Sequence, residues 1–300
     1  MIKLPHISVC ICTYKRPELL KSLLKHLGRQ KTDGLFTYSI VVADNDSLQS
    51  ANAVVSDFAA LSTVSVTYCV QHCRNIALTR NHAVENATGD FVAFIDDDEF
   101  PTDQWLLTLF NACRDHAVDG VLGPVIPYFD KGAPKWIVRS GLFDRPVHPT
   151  GMRLAWSQTR TGNVLLKSHL FKDKAHRFNP EFLSGSDQEF FKSMIKTGRT
   201  FIWCNEAVVY EVVPPARWKR SFLIRRAVFR GVFSFHHRPN SLGPILWSLM
   251  AAPGYVFTLP FVLLLGQAKF MSYMFKLSYH IGRLLAVFGI NPIKEPYVSD

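Results

Sequence analysis

The chain has 300 residues, 48% apolar and 19% charged, which excludes disorder as the main state and leaves enough apolar material for a sizeable core. Six Cys with no C-x-x-C spacing exclude a disulfide scaffold and a structural zinc module; all six are read as reduced, small apolar residues. The formal charge of +10 is uneven, a net of +1 over residues 1–211 and +9 over residues 212–300, so it describes a tail rather than a uniformly basic protein.

In chain order, short β-branched runs alternate with helical periodicity, the mark of α/β units around a largely parallel sheet. Residues 7–13 read as a first strand, entered from Met1 without a signal-peptide pattern, which argues against secretion. Pro17 then opens a helix with Leu19, Leu20, Leu23, Leu24 and Leu27 on one face. Strands are expected at 38–43, 64–70 and 91–95, with helices at 50–61 and 75–87 between them. The run 91–95 is continuously apolar, as in a strand buried on both faces, and it ends in Asp96-Asp-Asp-Glu99. A helix at 102–116, a strand at 121–126, an irregular excursion over 127–160 with Trp136 and Trp156, a strand at 162–167 and a helix at 187–197 follow.

Four successive carboxylates at a strand end repel one another by up to ~4 kcal/mol per close pair at an effective dielectric near 20. A divalent cation would relieve this, and oxygen-only ligands suit Mg2+ or Mn2+ rather than zinc. The competing reading is a solvated turn helped by Pro101. Thr13-Tyr-Lys-Arg16 and Asp44-Asn-Asp-Ser47 end neighbouring strands, and in open α/β sheets ligands bind beyond such carboxyl ends. Residues 44–47 also suit a simple Asx turn.

Ser8-Val-Cys-Ile-Cys-Thr-Tyr-Lys-Arg-Pro17, Val42-Ala-Asp-Asn-Asp-Ser47, Arg80-Asn81 and Ala87-Thr-Gly-Asp-Phe-Val-Ala-Phe-Ile-Asp-Asp-Asp98 together resemble the family 2 glycosyltransferases, inverting enzymes of the GT-A fold, over roughly residues 5–235. The stretch 206–217 with Arg225-Arg226 and Arg230-Gly231 resembles the bacterial branch that builds exopolysaccharide and lipopolysaccharide, succinoglycan enzymes among them. The resemblance implies an α/β GT-A catalytic domain, taken as 1–211, and the change of charge and composition near 212 sets off a membrane-associating helical tail over 212–300. It implies that Thr13, Tyr14, Arg16, Asp44, Arg80, Asp96 and Asp97 line a nucleotide-sugar pocket, usually for a uridine nucleotide, and that Asp98 ligates Mn2+ or Mg2+ at the pyrophosphate. Asp187 inherits the role of base, with Ser186 where the family usually has Glu. Read from the residues alone, Ser186 and Glu189 form a capping box and Asp187 is a first-turn acid. Gly162 and Asn163, with the Trp-bearing excursion, fall where the family meets its acceptor, implied to be a lipid-linked saccharide or surface glycan.

The tail carries seven Lys/Arg and no acid over 217–238, then thirty uncharged residues from 239 to 268. That run is long enough to cross a bilayer, but Pro253 and Pro260 and the basic residues at both ends favour a broken, re-entrant or shallow hairpin. Phe270, Met274, Leu277, Ile281, Leu284 and Phe288 share one helical face opposite Lys269, Ser272, Lys276, His280 and Arg283, the pattern of a helix lying on an anionic membrane. The expected enzyme therefore works at the cytoplasmic face of the inner membrane, with no nucleic-acid partner. A nucleotidyltransferase is the rival enzyme, although 13–17 lacks the Gly-rich loop it would want. A nucleic-acid binder using the basic aromatic tail is the rival outside enzymes.

Overall fold

The computed structural model describes residues 3–173, 176–182, 185–236, 242–290 and 292. They fall into two compact units, Met1–Ile126 with Arg145–Val212, and Pro127–Asp144 with Val213–Asp300. The stretch expected to be an excursion is therefore shared: residues 127–144 go with the C-terminal unit and 145–160 with the first.

In the first unit, β1 (His6–Thr13), α1 (Pro17–Leu27), β2 (Thr37–Asp44), α2 (Asn52–Leu61), β3 (Val66–Val70), α3 (Ile76–Glu85) and β4 (Phe91–Ile95) make a parallel half-sheet with its helices. The chain continues through β5 (Glu99–Pro101), α4 (Trp105–Asp115), β6 (Gly120–Leu122) and β7 (Val125–Tyr128), then α5 (Lys135–Arg139) in the second unit. It returns to the first unit as β8 (Asn163–Lys167), α6 (Ser186–Lys196), β9 (Phe201–Trp203) and β10 (Val209–Val212). The main sheet has the order β3-β2-β1-β4-β8-β6-β9, with β8 antiparallel to both neighbours.

Period-2 alternation sends Ile7, Val9 and Ile11 of β1, with Ala93 and Ile95 of β4, against Leu20, Leu23, Leu24 and Leu27 of α1 and Trp105 and Leu109 of α4. Cys10, Val92 and Phe94 face the other way, onto Ala77 and Ala83 of α3 and Phe190, Phe191 and Met194 of α6. Helices thus cover both faces, the physical reason that β4 is apolar at every position. The expected strand at 121–126 is broken by Gly123-Pro124 into β6 and β7, which join different sheets. The second sheet, β5-β10-β7, starts within the acidic run itself, so Glu99 is a buried strand residue. This overturns the solvated-turn reading of the acids.

The C-terminal unit holds three long helices, α7 (Arg220–His236), α8 (Leu242–Leu263) and α9 (Gln267–Val287). α8 runs unbroken through Pro253 and Pro260, which corrects the expected break. The expected surface-lying helix is also corrected: α9 packs between α7 and α8, burying Leu277 but also His280 from its polar side, while Ile281 and Phe288 of its apolar stripe are exposed.

Candidate active site

The parallel register sets Thr13 beside Asp44, and β4 delivers the acids to the same carboxyl-end edge. Thr13 Oγ1 donates to Asp97 Oδ2 at 2.8 Å, and Arg16 Nη1 donates to Asp97 Oδ1 at 3.0 Å and to Asp98 Oδ2 at 3.4 Å. Burial pushes the Asp97 carboxyl up to about 6 against the pull of Arg16. Burial, reinforced by Asp98, pushes Asp96 up to about 6. Tyr14 lies on the same loop, with the Arg74 guanidinium 4.8 Å and the Lys15 ammonium 5.3 Å from its ring centroid. Lys15 holds φ at +54°, a left-handed conformation in the turn between β1 and α1.

Asp44 is fully buried and its carboxylate is engaged within the fold. Oδ1 accepts the Asp46 N–H at 2.9 Å; Oδ2 accepts the Ala51 N–H at 3.0 Å and the Tyr68 hydroxyl at 2.8 Å. The Asx-turn geometry is realised, and Asp44 shapes the 45–51 loop from the same carboxyl-end edge as Thr13.

Arg80 of α3 lies over the Phe178 ring at 5.6 Å and donates to Ser186 Oγ at 3.2 Å, while its charge acts on Asp96. It therefore ties the acid edge to the start of α6. There the expected capping box does not form: Gly185, at φ +78°, is the N-cap, and Ser186 is buried as the first helical residue. Asp187 is half-exposed, with Oδ1 accepting the Gln188 N–H at 2.9 Å and Oδ2 without a hydrogen bond among the described residues.

The two acceptor expectations separate. Asn163 is buried and saturated: Oδ1 accepts Trp105 Nε1–H at 2.8 Å, and Nδ2 donates to the carbonyls of Pro124 at 2.9 Å and Ala207 at 2.7 Å. It is a junction between β8 and its neighbours and faces no acceptor, which corrects that assignment. Gly162 lies against the acids, where a Cβ would come 2.8 Å from Glu99 Oε1 and 3.0 Å from Asp96 Oδ2; only glycine permits this approach. Trp156 sits beside α6 with the Lys192 ammonium 5.2 Å from its ring, whereas Trp136 packs in the C-terminal unit.

Two functional-edge residues escape sequence reasoning. Glu211 of β10 stands opposite Glu99 in the antiparallel register, and Arg145 pairs with Glu211 while its charge reaches Glu99 and Asp96. Glu211 had one faint signal, as the last acid before the 83 acid-free residues 212–294. Arg145 had none, because its partners lie 46 to 66 positions away.

No three His, Cys, Asp or Glu side chains among the described residues converge as a ready-made metal cage. The donor set still fits a hard divalent cation. Asp98 and Asp96 offer carboxylate oxygens, and such cations typically take one or two carboxylates and complete their shell with phosphate oxygens and water.

A family profile described as Glycosyl transferase family 2 matches residues 8–176. The succinoglycan biosynthesis protein ExoM of Rhizobium meliloti is 36% identical over 228 residues, 74% of this chain and 71% of that protein. Among solved structures, the mannosyltransferase PcManGT of Pyrobaculum calidifontis, in complex with GDP-Man and Mn2+, superposes with a TM-score of 0.58 at 16% identity, covering 94% of this chain and 88% of that one. S. aureus TarS 1-349 in complex with UDP-GlcNAc gives 0.56 at 18% identity, over 74% of this chain and 66% of that one. At these identities the two structures establish the shared GT-A fold.

Proposed function

We propose, from the premise that this chain belongs to glycosyl transferase family 2, that it transfers a sugar with inversion from a nucleotide sugar, a uridine diphosphate sugar by preference, to a glycan or lipid-linked saccharide acceptor. The observation that carries this reading is Arg80, which donates to Ser186 at the start of the helix bearing Asp187 and whose charge acts on Asp96 at the acid edge. Donor and base sites are then joined by one side chain.

Thr13, Tyr14 and Arg16 bound the nucleotide side, with Arg74 supplying further positive charge at Tyr14. A divalent cation, Mn2+ or Mg2+, would be held by Asp98 with Asp96 beside it, and when bound it stabilises the charge of the departing diphosphate. Arg16 and Arg80 add to that stabilisation from the protein. Asp187 takes the proton of the acceptor hydroxyl; its oxygen attacks the anomeric carbon from the face opposite the diphosphate, and the anomeric C–O bond to the diphosphate breaks. Gly185 and the Arg80–Ser186 bond hold the start of α6, and with it this carboxylate, in place.

The domain division at 211/212 and a location at the cytoplasmic face of the plasma membrane complete the proposal, supported by the basic tail, which holds no acid from 212 to 294, and by the apolar α8. Nucleotidyl transfer loses its ground with the absence of a Gly-rich loop after β1, and nucleic-acid binding with the apolar face that the tail displays. The test is product analysis by NMR with a β-configured linkage expected from an α-linked donor. Retention of the donor's configuration, or release of pyrophosphate instead of a nucleoside diphosphate, would overturn it.

A further inference from the structure

α8 has two unlike sides. Ser248, Ala252 and Val262 are buried, whereas Leu242, Leu246, Trp247, Met250, Phe257 and Leu264 just beyond its end stand in the open, Phe257 at 75% and Leu264 at 84% exposure. The outward side carries no charge, and its hydroxyl, Thr258 Oγ1, is satisfied by the helix's own Gly254 carbonyl. By length and composition this helix could cross a bilayer.

Its attachment argues otherwise. α9 runs antiparallel to it, bound through His280 Nδ1 and Ser248 Oγ at 3.0 Å and through the Tyr255–Tyr273 and Tyr255–His280 ring contacts. Arg283 fastens all three helices, donating to Ser234 Oγ of α7 at 3.0 Å and to the Pro244 carbonyl of α8 at 3.0 Å. α7 and α9 touch backbone to backbone, since a Cβ on Gly231 would lie 2.1 Å from the Tyr279 carbonyl oxygen and one on Gly282 2.2 Å from that of Val228. The three helices therefore move as one body. If α8 crossed a bilayer, α9 would go with it, and exposed Lys276, at the middle of α9, would stand in hydrocarbon. Pro253 and Pro260 also remove the N–H partners of the Leu249 and Val256 carbonyls, which water and headgroups can replace at an interface but lipid tails cannot. Exposed Lys219, Arg220, Arg225, Arg230, Lys269 and Lys276 stand in a stretch without a single acid, complementary to anionic headgroups.

We infer that α8 lies in the plane of one leaflet of an anionic phospholipid bilayer, docked by its outward apolar side, and that it does not cross. This deepens the membrane location proposed above and rests on it.

The test uses the full chain carrying Trp247→Phe, with a single new Trp at Met250, Phe257 or Leu264, all outward positions. Vesicles of phosphatidylcholine and phosphatidylglycerol carry bromine at different acyl depths. In-plane docking predicts equal, shallow quenching at the three positions, and at least tenfold weaker flotation with pure phosphatidylcholine vesicles. A depth profile that changes steadily through 250, 257 and 264, with 257 near the bilayer centre, would overturn the in-plane arrangement while keeping the membrane location. No quenching and no flotation would overturn both, leaving nucleotide-sugar binding as a separate result. Concentration-dependent dimerisation abolished by Phe257→Glu, without lipid binding, would assign the face to a second copy of the chain.

Discussion

The proposed tasks of Asp98 and Asp187 are separable, because Asp98 stands beside Arg16 at the acid edge and Asp187, at the start of α6, keeps one oxygen without a hydrogen bond among the described residues. Asp98→Asn is expected to weaken cation-dependent nucleotide-sugar binding by about tenfold or more, since a neutral amide loses the charge that a hard cation requires. Asp187→Asn is expected to keep binding within about twofold and to lower turnover by roughly 10²–10⁴, the usual worth of a general base. Calorimetry and single-turnover kinetics separate the two, and near-normal turnover of Asp187→Asn would remove the base assignment. The buried acids also make stability pH-dependent. Asp97 titrates near 6 in the fold against an unfolded value near 3.8. Its contribution is therefore full below about pH 4 and lost as pH rises through about 6, when the unfolded chain ionises more readily. The Tm of the ligand-free protein should show this loss between pH 4 and 6, and Asp97→Asn should flatten it; an unchanged slope would place the effect elsewhere. At this scale the strand-end acids, Thr13 and Arg16 were legible, because their partners come from motifs at adjacent strand tips. Asn163 was misjudged because a polar side chain in a motif looks the same in sequence whether it faces a ligand or saturates buried backbone.

β8 shows how much an element's role depends on what it crosses. It enters antiparallel between β4 and β6, so that Gly162 passes the acids and Asn163 locks the far side. Gly162→Ala should force the Glu99 and Asp96 carboxylates apart, costing about 1–3 kcal/mol as overpacking does, and should impair donor binding as well as Tm. Asn163→Ala should lower stability by about 1–3 kcal/mol by stranding the buried Trp105 N–H and two carbonyls, while leaving the acceptor KM unchanged. A raised acceptor KM with unaltered Tm would restore Asn163 to the acceptor site. The long elements β1, α1 and β2 were readable from their patterning because each buries a full face, and β4 from its unbroken apolar run because helices cover both its faces. β5, β9 and β10 were not, because three or four residues hold no period and gain their pairing from partners far along the chain. The amphipathic pattern of α9 was real but misassigned: two helices cover it, and its polar residues Arg283 and His280 bond to them instead of to water.

Across the whole molecule, the +10 of the sequence separates into an almost balanced unit with the acid edge and a strongly basic unit with the apolar helix, whose stretch 213–294 holds no acid. The balance of the first follows from its chemistry, since Asp96, Asp97, Asp98, Glu99 and Glu211 are set against Arg16, Arg80 and Arg145 and leave an excess of negative charge suited to a divalent cation. Removing residues 239–300 should release the protein from membranes in a sedimentation assay, whereas a truncated chain that still sediments would remove the tail from that role. The central claim concerns the donor site. It is tested most directly by titrating the full chain with a panel of nucleotide diphosphate sugars, with and without Mn2+, and following Tm. A rise in Tm confined to one nucleotide, dependent on Mn2+ and abolished by Asp98→Asn, is the predicted result; a panel that leaves Tm unmoved with and without the cation would contradict it.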